Sequence, residues 1–194
     1  MNIAIVHYQL SIINWFNMAE FKISLQKMLT HEGGYSNDPD DLGGETYKGI
    51  SRTSHPDWLG WPIIDTHKNK PDFLTILEKD VVLKKDVEVF YWTNFWLPIK
   101  AYEIQNQTTA DSIFDFAVNA GIKTSARLVQ SIVGTKADGI IGDQTLKKLN
   151  SLDFGYFQPA FTVGKISHYI AIIQKRPTNK KYLYGWIIRA LEYH

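Results

Sequence analysis

The chain has 194 residues, of which 44% are hydrophobic and 21% are charged, and this composition is ordinary for a globular protein. Its formal net charge of +1 and the lack of a Lys/Arg-rich block argue against nucleic acid as a partner. The absence of cysteine excludes disulfides, thiolate catalysis and Cys-based zinc sites. No apolar run approaches the roughly 18 residues of a membrane span, so we expect no membrane insertion.

The N-terminal stretch from Met1 to Phe16 is moderately apolar, but it lacks the basic region and the small-residue cleavage site of a signal peptide. We therefore expect no recognisable signal peptide. Two interpretations of residues 1–18 stay open. They form an N-terminal extension that packs on the body or frays, or the natural start of the chain is Met18.

The first patterned element is a helix. Apolar residues recur at helical spacing over 21–29, and Gly33-Gly34 ends the pattern as expected of a helix C-terminus. Residues 35–50 are instead rich in turn-forming Asn, Asp, Pro and Gly, with one stretch at 46–50 that suits a short strand. This part of the sequence predicts a small irregular hairpin.

The remaining residues predict helices almost throughout. Residues 51–71 are typical of loops with short helical turns, whereas apolar periodicity predicts one long helix over about 72–92. Thr109 is predicted to cap a helix that ends at Gly121. Further helices are predicted at 124–133, 144–149, 159–175 and 180–193. The fold class that follows is α+β, mainly α-helical, with a small N-terminal hairpin.

Glu32 is the first candidate for chemistry. It lies seven residues after Leu25 and four after Met28, so it continues the apolar face of its helix. Partial burial and the negative end of the helix dipole both disfavour an ionised carboxylate there. A general acid that works near neutral pH must hold its proton, so the position suits a proton donor. Taken alone, a surface glutamate in a last helical turn would be the commoner interpretation.

Cleavage of a glycosidic bond usually needs a second carboxylate across the bond. Asp38, Asp40, Asp41 and Glu45 are all candidates. Nine extended residues would span roughly 30 Å, so only a chain that turns back can bring Asp41 close to Glu32. We interpret Asp40 as a turn cap, and we leave Asp38 open between a cap and a functional contact.

A zinc site is the alternative use of this segment. Residues 31–35 begin like the motif H-E-x-x-H, but the fifth position is Tyr35. The two adjacent glycines would also break the helix that must present both histidines on one face. The other histidines show no ligand spacing, so we predict no metal site. We also predict no organic cofactor.

The run from Glu32 to Ile50 reads EGGYSNDPDDLGGETYKGI. It resembles the signature E-G-G-Y-x-N-D-P-x-D-x-G-G-x-T-x-x-G-I of the glycoside hydrolase family 108 muramidases, often labelled secretion activator proteins. The resemblance implies that Glu32 is the catalytic acid. The spacing Glu-x8-Asp is also similar to that of phage T4-type lysozymes, which implies that Asp41 completes the site. Thr46 maps there approximately, because its spacing is one residue shorter.

The second half carries a resemblance of its own. Ala126 to Gln130 and Asp138 to Thr145 resemble the A-x-x-L-Q…D-G-x-x-G-x-x-T pattern of peptidoglycan-binding helical modules, although Asp143 replaces the usual proline. The run GWIIR at 185–189 resembles the G-W-x-x-R ending of the binding module that accompanies this hydrolase family. Turn chemistry around residues 138–142 explains most of this pattern physically.

These resemblances imply a lysozyme-like fold in which residues 19–104 form the catalytic region. Residues 105–194 would form a helical peptidoglycan-binding region packed on it. The reaction implied is hydrolysis of the β-1,4 bond between N-acetylmuramic acid and N-acetylglucosamine in peptidoglycan glycan strands. We expect a monomer that is made in the bacterial cytoplasm and acts on the cell wall in the periplasm.

The same resemblance, with the position of the aromatic residues, implies substrate contacts around Glu32. Tyr35 and Tyr47 flank the expected cleft, where sugar rings stack on exposed aromatic faces. Asp38 and Thr46 complete the predicted substrate-binding set.

Two rival functions stay open at this point. A lytic transglycosylase needs only the acid, because the muramic 6-hydroxyl attacks in place of water. A non-catalytic wall-binding or secretion-assisting protein would be expected to lack the glutamate, which is present here as Glu32. The sequence also leaves a phage or a cellular origin open.

Overall fold

The structure is a computed structural model that describes residues 18–37 and 44–193. The described chain divides into two compact units. We call residues 25–94 the sheet unit, and residues 18–24 with 95–193 the helical unit. The predicted boundary between residues 104 and 105 falls inside the helical unit, and the functional division at that boundary stays a prediction.

Helices make up most of both units. The α-helices of the described chain are α1 (Phe21–Leu29), α2 (Gly60–His67), α3 (Phe73–Lys79), α4 (Val81–Tyr91), α5 (Gln107–Ala120), α6 (Ile122–Val133), α7 (Asp143–Ser151), α8 (Phe154–Lys175) and α9 (Leu183–Leu191). Shorter helical turns cover Trp92–Trp96, Ala101–Glu103 and Pro177–Tyr182. No helix within residues 18–37 or 44–193 is long and apolar enough to cross a membrane.

Three two-residue strands form one antiparallel sheet in the order β1 (Tyr35–Ser36), β2 (Thr46–Tyr47) and β3 (Ile50–Ser51). The predicted fold class, mainly helical α+β with a small N-terminal sheet, is therefore confirmed. The predicted single strand over 46–50 is wrong in detail. Lys48 and Gly49 form a two-residue turn between β2 and β3, because Tyr47 pairs directly with Ile50.

The predicted long helix over 72–92 is two helices that meet at Asp80. The backbone of Asp80 is extended, with ψ of 116°, and its carboxylate accepts the Leu83 N–H at 2.8 Å. A side chain that caps the first free N–H groups of a helix favours a start at that point. Asp80 therefore starts α4, and α4 ends with Tyr91.

The helical unit is built around α5. Residues 109–117 of this helix are all buried, so α5 is enclosed on every side, as in the centre of a bundle. It packs against α6 and α8. The predicted cap is corrected: Asn106 caps the helix, and its side chain accepts the N–H of Thr109 at 2.9 Å.

Two buried carboxylates of α5 have partners on other elements. Asp111 accepts a hydrogen bond from Ser24 Oγ at 2.5 Å. Asp115, with 3% of its side chain exposed, pairs with Arg189 Nη2 of α9 at 2.9 Å. Because an unpaired buried carboxylate is costly, this ion pair fixes α9 on α5. The arginine of the GWIIR run therefore has a structural partner.

The other motif of the second half, at residues 126–130 and 138–145, also has a structural role, because its residues fix a turn. Gln130 is 2% exposed, and its amide donates to Asp138 Oδ1 at 2.8 Å and accepts the Gly139 N–H at 2.8 Å. Gly139 needs the positive φ of 86° that the turn imposes. The hydrogen bond from Gln130 helps to lower the pKa of Asp138. These contacts confirm the interpretation of the pattern as fold-specifying.

Candidate active site

The turn between β2 and β3 is the centre of the candidate site. Lys48 and Gly49 have φ values of 48° and 80°, and positive φ at both positions is what a type I′ turn requires. Lys48 is one of two non-glycine residues with positive φ in the described chain. Its N–H donates to the carbonyl of Gly34 at 3.0 Å, which ties the turn to the glycine pair that follows Glu32.

Glu32 lies just beyond the end of α1. The helix ends at Leu29, and one tighter turn follows, in which the His31 N–H donates to the Met28 carbonyl at 3.1 Å and the Glu32 N–H donates to the Leu29 carbonyl at 3.3 Å. The residue is half-buried. Glu32 therefore occupies the end of a tightening helical turn, close to the predicted position.

The Glu32 carboxylate lies directly against Gly49. A Cβ atom built on Gly49 would be 2.5 Å from Glu32 Oε2 and 3.0 Å from its Cδ. Only glycine leaves room for the carboxylate at this distance, and only glycine adopts the turn conformation at no steric cost. The space for Glu32 and the positive φ of the turn are two separate reasons for a glycine at position 49.

Tyr91 is a site residue that sequence reasoning missed. Its side chain is 1% exposed, and its hydroxyl donates to the Lys48 carbonyl at 2.6 Å. The same oxygen would lie 2.7 Å from a Cβ atom on Gly49. Tyr91 belongs to an aromatic cluster that is indistinguishable from core in sequence, and only the folded turn brings its hydroxyl to Lys48 and Gly49.

The ion pairs of Glu45 argue against it as the second carboxylate. It pairs with Arg52 Nε at 2.7 Å and with Lys68 Nζ at 2.9 Å, and 9% of its side chain is exposed. Asp65 joins the same two cations, at 2.7 Å from Arg52 and 2.6 Å from Lys68. A carboxylate held by two cations has a structural role here.

Tyr35 and Tyr47 differ in what they offer a substrate. Tyr35 is half-buried with its ring edge-on to Phe73, and burial together with Glu45 raises the pKa of its hydroxyl. Tyr47 is 2% exposed and its hydroxyl donates to the Leu77 carbonyl at 3.2 Å. Burial raises the pKa of Tyr47 to about 12. The core position argues against the predicted role of the Tyr47 ring as an open stacking face.

Thr46 lies in the middle strand of the sheet, paired with Ser36 on one side and Ser51 on the other. It is half-buried, and its part in substrate contact stays a prediction. Asp38 and Asp41 lie outside the described residues, as does Asp40. The second catalytic carboxylate therefore also stays a prediction.

Two cavities of similar size lie among the described residues of the sheet unit. One, of about 400 Å³, is lined by Leu29, Lys48 and neighbouring side chains of α1 and α4, so it adjoins the turn beside Glu32. The other, of about 390 Å³, is lined by residues that include His55, Trp58 and Phe90. Across residues 18–37 and 44–193, no three His, Asp or Glu side chains are grouped so as to hold a metal ion.

Two family models match the sequence. The sequence model of the family described as Glycosyl hydrolase 108 matches residues 25–121, and that of the Predicted Peptidoglycan domain matches residues 124–191. Among solved structures, that of Brucella abortus SagA is similar with a TM-score of 0.64 and 21% identity, covering 89% of this chain and 90% of that chain. No curated protein matches the chain.

At that identity the structural likeness shows the fold, and the predicted lysozyme-like fold is confirmed. The first family match spans half of the chain and contains Glu32, Gly49 and Tyr91. The two family matches together support a lysozyme-like protein that acts on peptidoglycan. The chain belongs to the glycosyl hydrolase 108 family.

Proposed function

We propose that this protein is an N-acetylmuramidase that hydrolyses the β-1,4 bond between N-acetylmuramic acid and N-acetylglucosamine, with Glu32 as the proton donor. The observation that carries the proposal is the contact between the Glu32 carboxylate and Gly49. A side chain held against a rigid backbone turn is pre-oriented, and orientation contributes much of the power of a general acid.

In this proposal Glu32 protonates the oxygen that leaves from the muramic acid residue. Asp41 would position the attacking water or stabilise the oxocarbenium-like centre, as the second carboxylate does in most glycosidases. Asp38, Thr46 and Tyr35 would contact the glycan. No step of this mechanism requires a metal or an organic cofactor.

The helical unit supports the same substrate, because it contains the segment matched by the peptidoglycan domain. We propose that this segment binds wall polymer while the sheet unit supplies the acid. The site of action would then be the cell wall in the periplasm, reached by a protein that is made in the cytoplasm and works as a monomer.

The test is Glu32→Gln, assayed on purified peptidoglycan with mass spectrometry of the fragments. We expect the substitution to lower the rate at least about a hundredfold, since general acid catalysis contributes about 10²–10⁴-fold. Binding to sedimented wall and the unfolding transition should change little. Glu20→Gln is the matched control, because Glu20 is an exposed glutamate at the other end of α1.

The wild-type products separate the rival functions. Fragments with reducing N-acetylmuramic acid ends support hydrolysis. Fragments that end in 1,6-anhydro-muramic acid would make the protein a lytic transglycosylase. Wall binding without any cleavage, in the wild type as in the variant, would make it a non-catalytic wall-binding or secretion-assisting protein.

A further inference from the structure

The buried hydroxyl of Tyr91 has no part in the mechanism described so far. Tyr91 is the last residue of α4 and its ring packs edge-on against Phe90 with centroids 5.3 Å apart. A ring that is 1% exposed has little freedom to move. Its hydroxyl is therefore fixed in space by α4, which starts at the Asp80 cap.

This fixed hydroxyl holds the turn at its least favourable residue. Lys48 carries a side chain at φ of 48°, a left-handed conformation that is strained for a non-glycine residue. The hydrogen bond from Tyr91 to the Lys48 carbonyl, at 2.6 Å, stabilises that conformation. Without it, the turn would lose one of the contacts that keep Gly49 against the Glu32 carboxylate.

The same hydroxyl lies at the point where Gly49 meets Glu32. A Cβ atom on Gly49 would be 2.7 Å from the Tyr91 oxygen and 2.5 Å from Glu32 Oε2, so both side chains close on the same side of this glycine. The hydroxyl that holds the turn therefore stands next to the part of the turn that the carboxyl group contacts.

We propose that Tyr91 is a positioning residue that holds the Lys48–Gly49 turn and, through it, orients the Glu32 carboxyl group toward the leaving oxygen. The inference rests on the proposed function of Glu32 as a proton donor. Tyr91 acts through the turn, and it needs no contact with the glycan.

The test is Tyr91→Phe, which removes one oxygen and keeps the packed ring. On a labelled glycan strand we expect kcat to fall at least about tenfold while KM stays within about twofold, because substrate contacts are retained. The decisive substrate is a 2,4-dinitrophenyl β-glycoside of the N-acetylglucosaminyl-N-acetylmuramic acid disaccharide. Its leaving group departs without protonation, so the variant should lose less than about threefold in kcat on it.

Ser125→Ala is the matched control. It also removes one hydroxyl oxygen that donates to a buried backbone carbonyl, at 2.9 Å to Ile113, but in the helical unit. We expect a similar loss of stability and unchanged kcat on both substrates. The unfolding transition of each variant, measured by circular dichroism, shows whether the comparison is made between folded proteins.

Equal losses on the glycan and on the dinitrophenyl substrate would overturn the inference, because a structural role alone predicts that pattern. Unchanged kcat on the glycan would overturn it as well. If Tyr91→Phe fails to fold, Tyr91→Met at the same position replaces it, with the same two substrates and the same criteria. Normal turnover by Glu32→Gln would instead refute the proposed function, whatever the tyrosine variant does.

Discussion

Gly49 is the residue at which steric requirements of the candidate site are strongest. Its positive φ serves the turn, and its missing side chain leaves space for Glu32. Substitution by alanine would add both a backbone cost of roughly 1–2 kcal/mol and a methyl group 2.5 Å from Glu32 Oε2. The carboxylate would have to rotate away from its present position.

We predict that Gly49→Ala lowers the rate on peptidoglycan at least about tenfold. Gly44→Ala is the control, because Gly44 also has positive φ, 65°, in the same unit, but a Cβ atom there would meet Thr53 Oγ1 at 2.9 Å and not Glu32. Both variants should lose similar stability in urea unfolding. Equal activity in the two variants would contradict a specific effect on Glu32.

At the scale of single residues, the sequence predicts Glu32 as the acid but gives no sign of the role that we propose for Tyr91. Glu32 could be predicted because it continues an apolar helix face and, above all, because the run from Glu32 to Ile50 resembles the family signature. Tyr91 could not be found, since a buried aromatic residue gives the same signal whether or not its hydroxyl acts. Tyr47 shows the converse, because a tyrosine beside the site in sequence points into the core.

Among the elements, α8 carries an unusual buried charge. Lys165 is 1% exposed, with Nζ 3.1 Å from Ser112 Oγ of α5 and 5.3 Å from the centre of the Tyr193 ring. Burial lowers its pKa from 10.5 to about 8, with partial compensation from Asp115. The folded protein therefore releases this proton at lower pH than the unfolded chain does.

We predict that stability rises with pH between about 8 and about 10, because the unfolded chain then binds more protons than the folded one. The shift corresponds to about 3 kcal/mol over the full window between the two pKa values. Above pH 10 the gain should reverse, since burial raises the pKa of Tyr47 and Tyr169 to about 12 and unfolding would let both ionise.

Urea unfolding of Lys165→Met at pH 7.5, 8.5 and 9.5 checks this assignment. The free energy of unfolding of this variant should rise little with pH. We expect the variant to be more stable than the wild type at pH 7.5, and the difference between them should narrow as the pH increases. Lys175→Met, an exposed lysine of the same helix, should keep the rise. A wild-type stability that is flat or falls over this range would contradict the prediction.

Element boundaries were predictable where a single residue type decides them. Gly134 ends α6 in a left-handed conformation, as expected of a glycine at that position. Asp80 is harder to interpret, because an aspartate inside an apolar periodic stretch is equally typical of a solvated helix face. Asp80 caps α4 only because packing holds its backbone in an extended conformation. The apolar periodicity of the sequence carries no information on that conformation.

Over the whole molecule, the family boundaries and the structural units do not coincide. The glycosyl hydrolase match ends at residue 121, just after α5, whereas α5 is the centre of the helical unit that extends to residue 193. The segment before Leu25 joins the same unit, since Ala19 donates to Ile104 at 2.8 Å. The sheet unit is therefore an insertion into the chain of the helical unit.

This arrangement predicts that the matched hydrolase segment cannot fold fully by itself. In a chain that ends at Gly121, α5 would lose α6 and α8, and its fully buried residues Ile113, Phe114 and Phe116 would face water. Asp115 would also lose Arg189, the ion-pair partner that fixes α9 on α5. We expect weak helical circular dichroism and aggregation on size-exclusion chromatography.

Residues 122–194 supplied as a separate chain should restore a soluble complex, because they return the partners of α5 without the covalent link. A fragment that ends at Gly121, stays monomeric and unfolds cooperatively would contradict the prediction, and would show that the family boundary is also a folding boundary. If the Glu32-dependent rate instead returns only when the two chains assemble, residues 122–194 are needed for activity because they complete the fold around α5. Wall binding and hydrolysis would then both depend on an intact α5. Substitutions of Asp115 or Arg189 should therefore lower wall binding and the hydrolysis rate together.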